Sequence, residues 1–253
     1  QGLWVAVIQV DPYPVVCATA SGKCFRRGMG SHGPECQPYY PYQHQSRRFA
    51  LGLEDLTAQI PEGAHWSHLD PLEFERLRRM IDRSSGDRRL LGLTDRELAM
   101  ALRLVETTHA EDPTPNVAGL LLLGREGELQ RLIPTHKTVF QAFGADGSPT
   151  ANDPLRTPLL RQVEELEARY EARKDEQEIL VGMLRVAIPA YSKDAFREAI
   201  NNALIHRDYA RMDAIYVQWH PDYLLITSPG PFPSGVTPDN LLTHEPKPRN
   251  PRL

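Results

Sequence analysis

Glu198, Asn202 and His206 are spaced four residues apart in the run Lys193–Tyr209, and these residue types at that interval can do chemistry. At about 100° per residue, positions i, i+4 and i+8 of a helix fall in one stripe. An asparagine carbonyl is a hard oxygen donor suited to Mg²⁺. A carboxylate one turn away can orient or deprotonate a water attacking a phosphoryl group. Spacing alone is weak evidence, because such pairs also serve only to bond one another on an exposed helix edge.

The element that must carry the stripe is a helix opening at Ser192, an acceptable N-cap. Ala195, Phe196, Ala199, Ile200, Ala203 and Leu204 form its apolar arc, which predicts that the Glu198 stripe runs along a half-sheltered edge. Met212–His220 and Tyr223–Thr227 read as the strands of a following hairpin around Pro221 and Asp222. Upstream, Asp70 before Pro71 predicts the start of one helix, and Thr94 with Glu97 predicts another. Val117–Leu123 fits a buried strand, Thr135–Phe143 another, and Asp153–Ile188 a mostly helical stretch ended by Pro189. Leu3–Val10 and Lys23–Arg27 read as short strands, whereas Gly28–Gln45, rich in Gly, Pro, Tyr and His, reads as a loop or linker.

The chain has 253 residues, enough for two compact units, and a net charge of −4, which argues against tight nonspecific DNA binding by the whole. Arg76, Arg78, Arg79, Arg83, Arg88 and Arg89 alternate with Glu73, Glu75, Asp82 and Asp87, a pattern expected of a solvated mixed-sign surface more than of a DNA-binding face. No apolar run is long enough to span a bilayer, and the first residues lack the marks of a signal peptide. Cys17, Cys24 and Cys36, without a tight C-x-x-C pair, are read as reduced thiols of a cytoplasmic protein; His32 and His44 nearby leave a zinc site as the lesser alternative.

The segment Glu198-Ala-Ile-Asn-Asn-Ala-Leu-Ile-His-Arg-Asp-Tyr209 resembles the E-x-x-x-N-A-x-x-H-R-D-Y signature of a bacterial and archaeal family of transcriptional regulators. That family carries a Schlafen-type AlbA domain followed by a divergent GHKL ATPase domain, also described as RecG-like C-terminal. Ser228–Thr237 is similar to its N-P-G-x-x-P-x-G-x-T stretch, and Arg249-Asn250-Pro251 to its R-N-P. Asp112–Gly124 is similar to its P-T-N-A-G-L-L-L-F-G segment, and Lys23–Gly28 to the closing strand of the AlbA domain.

The resemblance implies an α/β (α+β) protein: the end of an AlbA-type domain with a linker over 1–48, a helical connecting region over 49–110, and a GHKL-like α/β sandwich over 111–253, cut short at its C-terminal end. It implies Glu198 as the water-activating carboxylate and Asn202 as the Mg²⁺ ligand. His206, Asp208, Ser228 and Gly230 would border the ATP. Where the GHKL pattern has an aspartate for the adenine amino group this sequence has Ser228, and no G-x-x-x-x-G-K-[ST] loop supports a helicase label. The implied function is an ATP-binding, slowly hydrolysing module of a transcriptional or stress regulator that contacts nucleic acid through another domain. The alternative is a noncatalytic DNA-binding regulator whose GHKL-like part is a scaffold for homodimerisation.

Overall fold

A computed structural model describes residues 18–30, 33–50, 54–84, 87–107, 113–174, 176–181, 184–189, 191–232, 236–237, 239–240, 243 and 248–253. The chain forms two compact units that divide between Glu54 and Asp55. The expected strand Leu3–Val10 lies outside the described residues.

The first unit holds the antiparallel pair β1 (Phe25–Gly30) and β2 (Gly33–Pro38), followed by helix α1 (Pro41–Ala50). Of the expected loop over 28–45, residues 28–30 and 33–38 are therefore strand and 41–45 belong to α1. Pro34 and Pro38 sit at the two ends of β2, where a missing N–H costs the ladder least, and Pro41 takes the first helical position.

The second unit is an α/β fold. Helices α2 (Pro71–Arg83), α3 (Asp95–Ala101), α4 (Val117–Leu123) and α5 (Glu126–Leu132), with the short pair β3 (Val105–Glu106) and β4 (Thr114–Pro115), precede the main sheet. Both expected caps form: Asp70 accepts from the Leu72 N–H, and Thr94 and Glu97 close a capping box. Several arginines in and after α2 are engaged by acids. Arg76 pairs with Glu73 and Glu164, Arg78 with Asp95 at 2.7 Å, and Arg89 with Asp87 at 2.7 Å. A mixed-sign surface is what the structure has there.

Val117–Leu123 is a helix, not the expected strand. Asn116 decides it: the Oδ1 accepts from the Gly119 N–H at 2.9 Å while the Nδ2 donates to the Arg103 carbonyl at 2.8 Å. A short apolar run carries no usable period, so only the cap distinguished the two forms. Gly119 also lies so close to the preceding segment that a Cβ would stand 2.1 Å from the Leu104 carbonyl oxygen.

The loop receiving that Asn116 bond begins in a Schellman motif. Arg103 N–H donates to Met100 and Leu104 N–H to Ala99, and Arg103 holds a φ of 56°. A left-handed arginine is disfavoured by its Cβ. Arg103→Gly should therefore raise stability by about 0.5–1 kcal/mol in urea unfolding. Destabilisation instead would mean that the arginine side chain contributes more than its backbone costs.

The main sheet has the order β10-β9-β5-β6, built from β5 (Thr138–Phe143), β6 (Pro149–Leu155), β9 (Ile215–Trp219) and β10 (Leu224–Thr227). β5 runs parallel to β9, and the other pairs are antiparallel. Between β6 and β9 come α6 (Leu159–Glu171), the hairpin β7 (Glu176–Val181) and β8 (Leu184–Pro189), and α7 (Lys193–Ile205). The expectation of helix through Ile188 fails at the hairpin, whose Ile, Leu and Val content suits extended backbone. The core sets Phe140 and Val217 of the sheet among Leu166 and Tyr170 of α6 and Phe196 and Ile200 of α7. Tyr170 stacks on Phe196 at 5.0 Å and meets Trp219 edge-on at 6.1 Å. Among the described residues, no helix is long and apolar enough to cross a membrane.

Candidate functional site

Ser192 caps α7 as expected, its hydroxyl accepting from the Ala195 N–H at 3.5 Å. Of the predicted apolar arc, Phe196, Ile200, Ala203 and Leu204 are buried, Ala199 is half-buried and Ala195 is exposed. The narrower buried arc leaves Glu198 and Asn202 fully on the outside, more open than the half-sheltered edge expected. The pair bond one another: Asn202 Nδ2 donates to Glu198 Oε1 at 3.0 Å. A cleft of about 490 Å³ lies beside α7, floored by Leu122, Leu160 and Leu204 and reached by Arg197 and Asn201. Glu198 and Asn202 do not line it.

The remaining signature residues sit past the last turn, and most of their polar atoms face inward. His206 is the C-cap, half-buried, with its Nδ1 buried and unbonded. Burial, then the positive charge of Arg249, holds the His206 pKa below its usual value. Arg207 is 1% exposed and donates to the carbonyls of Thr135 and Asp213. Its guanidinium carbon lies 4.8 Å over the Tyr209 ring, and the Tyr209 hydroxyl donates to the Leu204 carbonyl at 3.2 Å. Burial pushes the Tyr209 pKa up, so this phenol stays neutral.

The loop from Ser228 is laid against this helix end. Ser228 Oγ donates to the Ala203 carbonyl at 2.8 Å, and the Asp208 N–H donates to the Pro229 carbonyl at 2.8 Å. Gly230 has a φ of 121°, and a Cβ there would stand 2.9 Å from the Asp208 Cβ. Only glycine suits both the conformation and the approach. Asp208 in turn faces Arg249 at 3.4 Å.

Arg249 and Asn250, distant in sequence, close the assembly. Arg249 donates to the Pro231 carbonyl, and Asn250 Nδ2 donates to the carbonyls of Ile205 at 2.7 Å and Arg207 at 2.8 Å. The Ile205 carbonyl is the last of α7 and has no intrahelical donor, and the Arg207 carbonyl follows just past the C-cap. The structure thus brings His206, Asp208, Ser228 and Gly230 into one cluster at the helix end, with Asn202 and Glu198 one and two turns up the helix. Arg249 and Asn250 stand out in the sequence as a motif without a task, since their partners lie between 18 and 45 residues away. Asn116 and the buried His136 carried no chemical pattern at all.

Among the described residues, no group of three His, Cys, Asp or Glu side chains converges as a metal site. For a Mg²⁺ held largely by phosphates and water, one or two protein oxygens suffice.

Residues 52–139 match the model of a domain family of unknown function, DUF8451. No curated protein matches the chain. Its fold is similar to that of the DIP2311 protein from Corynebacterium diphtheriae, with a TM-score of 0.63 and 23% identity over 93% of this chain. The chain spans 44% of the length of that protein.

Proposed function

We propose that this chain is the nucleotide-binding part of a cytoplasmic bacterial regulator, with α7 as the helix that meets Mg²⁺-ATP. In this reading Asn202 offers its carbonyl oxygen to the metal ion and Glu198 orients the attacking water. His206, Asp208, Ser228 and Gly230 shape the end of the site, and another part of the parent protein contacts nucleic acid.

One observation carries the reading. Asn202 is exposed and spends its amide N–H on Glu198, so that bond leaves Oδ1, the atom a hard cation would take, unused. The other signature residues are largely tied to backbone carbonyls, so the assembly holds the end of α7 rigid beneath the two side chains that face solvent. Ser228 donates its proton to Ala203 and keeps lone pairs that can accept an amino N–H such as that of adenine. When bound, Mg²⁺ would supply charge neutralisation at the phosphates.

The noncatalytic scaffold is the second reading. It is favoured by the exposure of the Glu198–Asn202 edge, which lies outside the cleft beside α7, and by the pairing of Asp208 with Arg249.

Calorimetric titration of a nonhydrolysable ATP analogue with Mg²⁺ separates the two. The titration uses this chain and a polypeptide extended past Leu253. The nucleotide reading expects binding that Asn202→Ala weakens by roughly tenfold or more, the loss of one charge-assisted ligand. Absence of binding to both polypeptides at millimolar analogue would leave the scaffold.

A further inference from the structure

The main sheet has a second face, opposite the α6 and α7 core, and its side chains follow from the register. Gln141 pairs with Asn152 on one side and with Gln218 on the other, and Gln218 pairs with Leu225. Phe140 and Val217, one residue earlier on β5 and β9, point into the core, so this row points away from it. Its side chains form a relay. Gln218 Nε2 donates to Gln141 Oε1 at 2.8 Å, and Gln141 Nε2 donates to Asn152 Oδ1 at 3.2 Å. A carbonyl oxygen is left at the Gln218 end and an amide N–H at the Asn152 end.

Two residues further along, the same face carries a stack of rings. Phe143 and His220 lie 4.4 Å apart with planes 5° from parallel, and His220 and Tyr223 lie 4.2 Å apart at 14°. Tyr223 precedes β10, the edge strand, and is 52% exposed, so the stack is open at its outer end. Tyr216 and Leu225, on the same face, are exposed as well.

Charge on this face runs against that of the chain. In a protein of net charge −4, none of the positions 141, 143, 152, 154, 216, 218, 225 and 227 on this face is acidic, and Val139 between them is buried. Asp153, between two of them, turns to the other side and meets Arg169 at 3.3 Å. The acids Asp146 and Asp222 lie in the two turns beyond the rows. Next in alternation at the opposite end of the strands come Lys137 and Arg156, cross-strand neighbours beyond the Thr138–Leu155 pair.

We infer that this face is a binding platform for single-stranded nucleic acid, with an unpaired base stacked on Tyr223, base edges met by the Gln218–Gln141–Asn152 relay, and phosphates drawn to Lys137 and Arg156. Aromatic side chains on an open sheet give stacking, which any base can use, and amides supply both donor and acceptor to base edges. From Lys137 to Phe143 the face extends about 20 Å along the strand, room for several nucleotides. Base-paired DNA does not fit the same chemistry, because its rings are not free to stack. This surface is separate from the Glu198–Asn202 edge and does not depend on nucleotide binding there.

The test is fluorescence anisotropy of a short labelled single-stranded DNA of mixed sequence, titrated with the whole chain. Unlabelled duplex and free mononucleotides serve as competitors. Tyr223→Ala should weaken binding roughly tenfold, and Tyr223→Phe, which keeps the stacking ring, should restore it. Lys137→Glu should weaken binding and flatten its dependence on salt. Thermal melting of each variant confirms that it is folded. No anisotropy change at the highest soluble protein concentration would overturn the inference. So would equal binding by folded Tyr223→Ala, or competition by duplex as strong as by single strand. Competition by a mononucleotide at the oligonucleotide's own affinity would overturn it in favour of a single-base pocket.

Discussion

Arg207→Met should destabilise the second unit by about 3 kcal/mol or more, read as a fall in the urea midpoint and in Tm. Arg207 is among the largest fully buried side chains, and its guanidinium reaches two backbone carbonyls in separate segments, Thr135 before β5 and Asp213 before β9. No carboxylate forms a salt bridge with it among the described residues, so it acts as a donor hub and not as half of an ion pair. Methionine fills most of the volume but removes the donor from two part-buried carbonyl bonds, and each such loss costs up to about 1–3 kcal/mol. The stack on Tyr209 goes too. Arg207→Lys keeps the charge but not the planar fork, and should recover less than half of the loss. A change below about 1 kcal/mol for methionine would mean that water takes the place of the guanidinium at these carbonyls. The consequence for function is indirect. Arg207 anchors the end of the helix that displays Glu198 and Asn202, so the stability measurement shows how firmly that display is held.

Acidification should cost the protein about 2 kcal/mol by pH 5 through His136 alone, and about 3 kcal/mol in full. His136 is 2% exposed, and burial lowers its pKa to about 4, with the charges of Arg207 and Arg156 acting in the same direction. Its Nε2 lies 2.8 Å from the Thr157 carbonyl, which makes it the protonated nitrogen, and Nδ1 is buried with no partner. Gln162 completes the network, its Oε1 accepting from Thr138 and its Nε2 donating to the same Thr157 carbonyl. The unfolded chain takes up a proton near the ordinary 6.5, whereas the folded chain resists until about 4. Stability is therefore complete above pH 6.5, falls as pH drops between 6.5 and 4, and levels off below. Urea midpoints of the native chain and of His136→Gln, measured across this range, isolate the effect from carboxylate titration. Parallel curves would show that the imidazole is not what resists acid.

Much of the local structure was legible because its causes are local. Asp70 with Pro71, Thr94 with Glu97, and Ser192 each cap the helix they were expected to cap, since a cap bonds a backbone N–H two or three residues away. The hairpin of β9 and β10 was legible from alternation around Pro221 and Asp222. Val117–Leu123 misled because an apolar run has no period, and the decisive bonds from Asn116 include one to Arg103, thirteen residues back. The stretch over 176–189 misled because the alternating charges upstream in α6 were extended past the helix end, into residues that pair as strands.

The amino-acid order by itself determined that α7 exists, which of its faces is apolar, and that Glu198 and Asn202 share an edge, because a helical repeat converts spacing directly into direction. Only the tertiary structure decided what surrounds that edge. Asn250 reaches back to Ile205, Arg207 to Thr135, and Gly230 lies against Asp208, each across dozens of residues. It also decided that the far side of the main sheet holds three stacked rings and an amide relay drawn from β5, β6, β9 and the turn before β10. Such assemblies depend on strand register between distant segments, and register is set by which hydrophobic faces find the core, a property of the whole chain and not of any window within it.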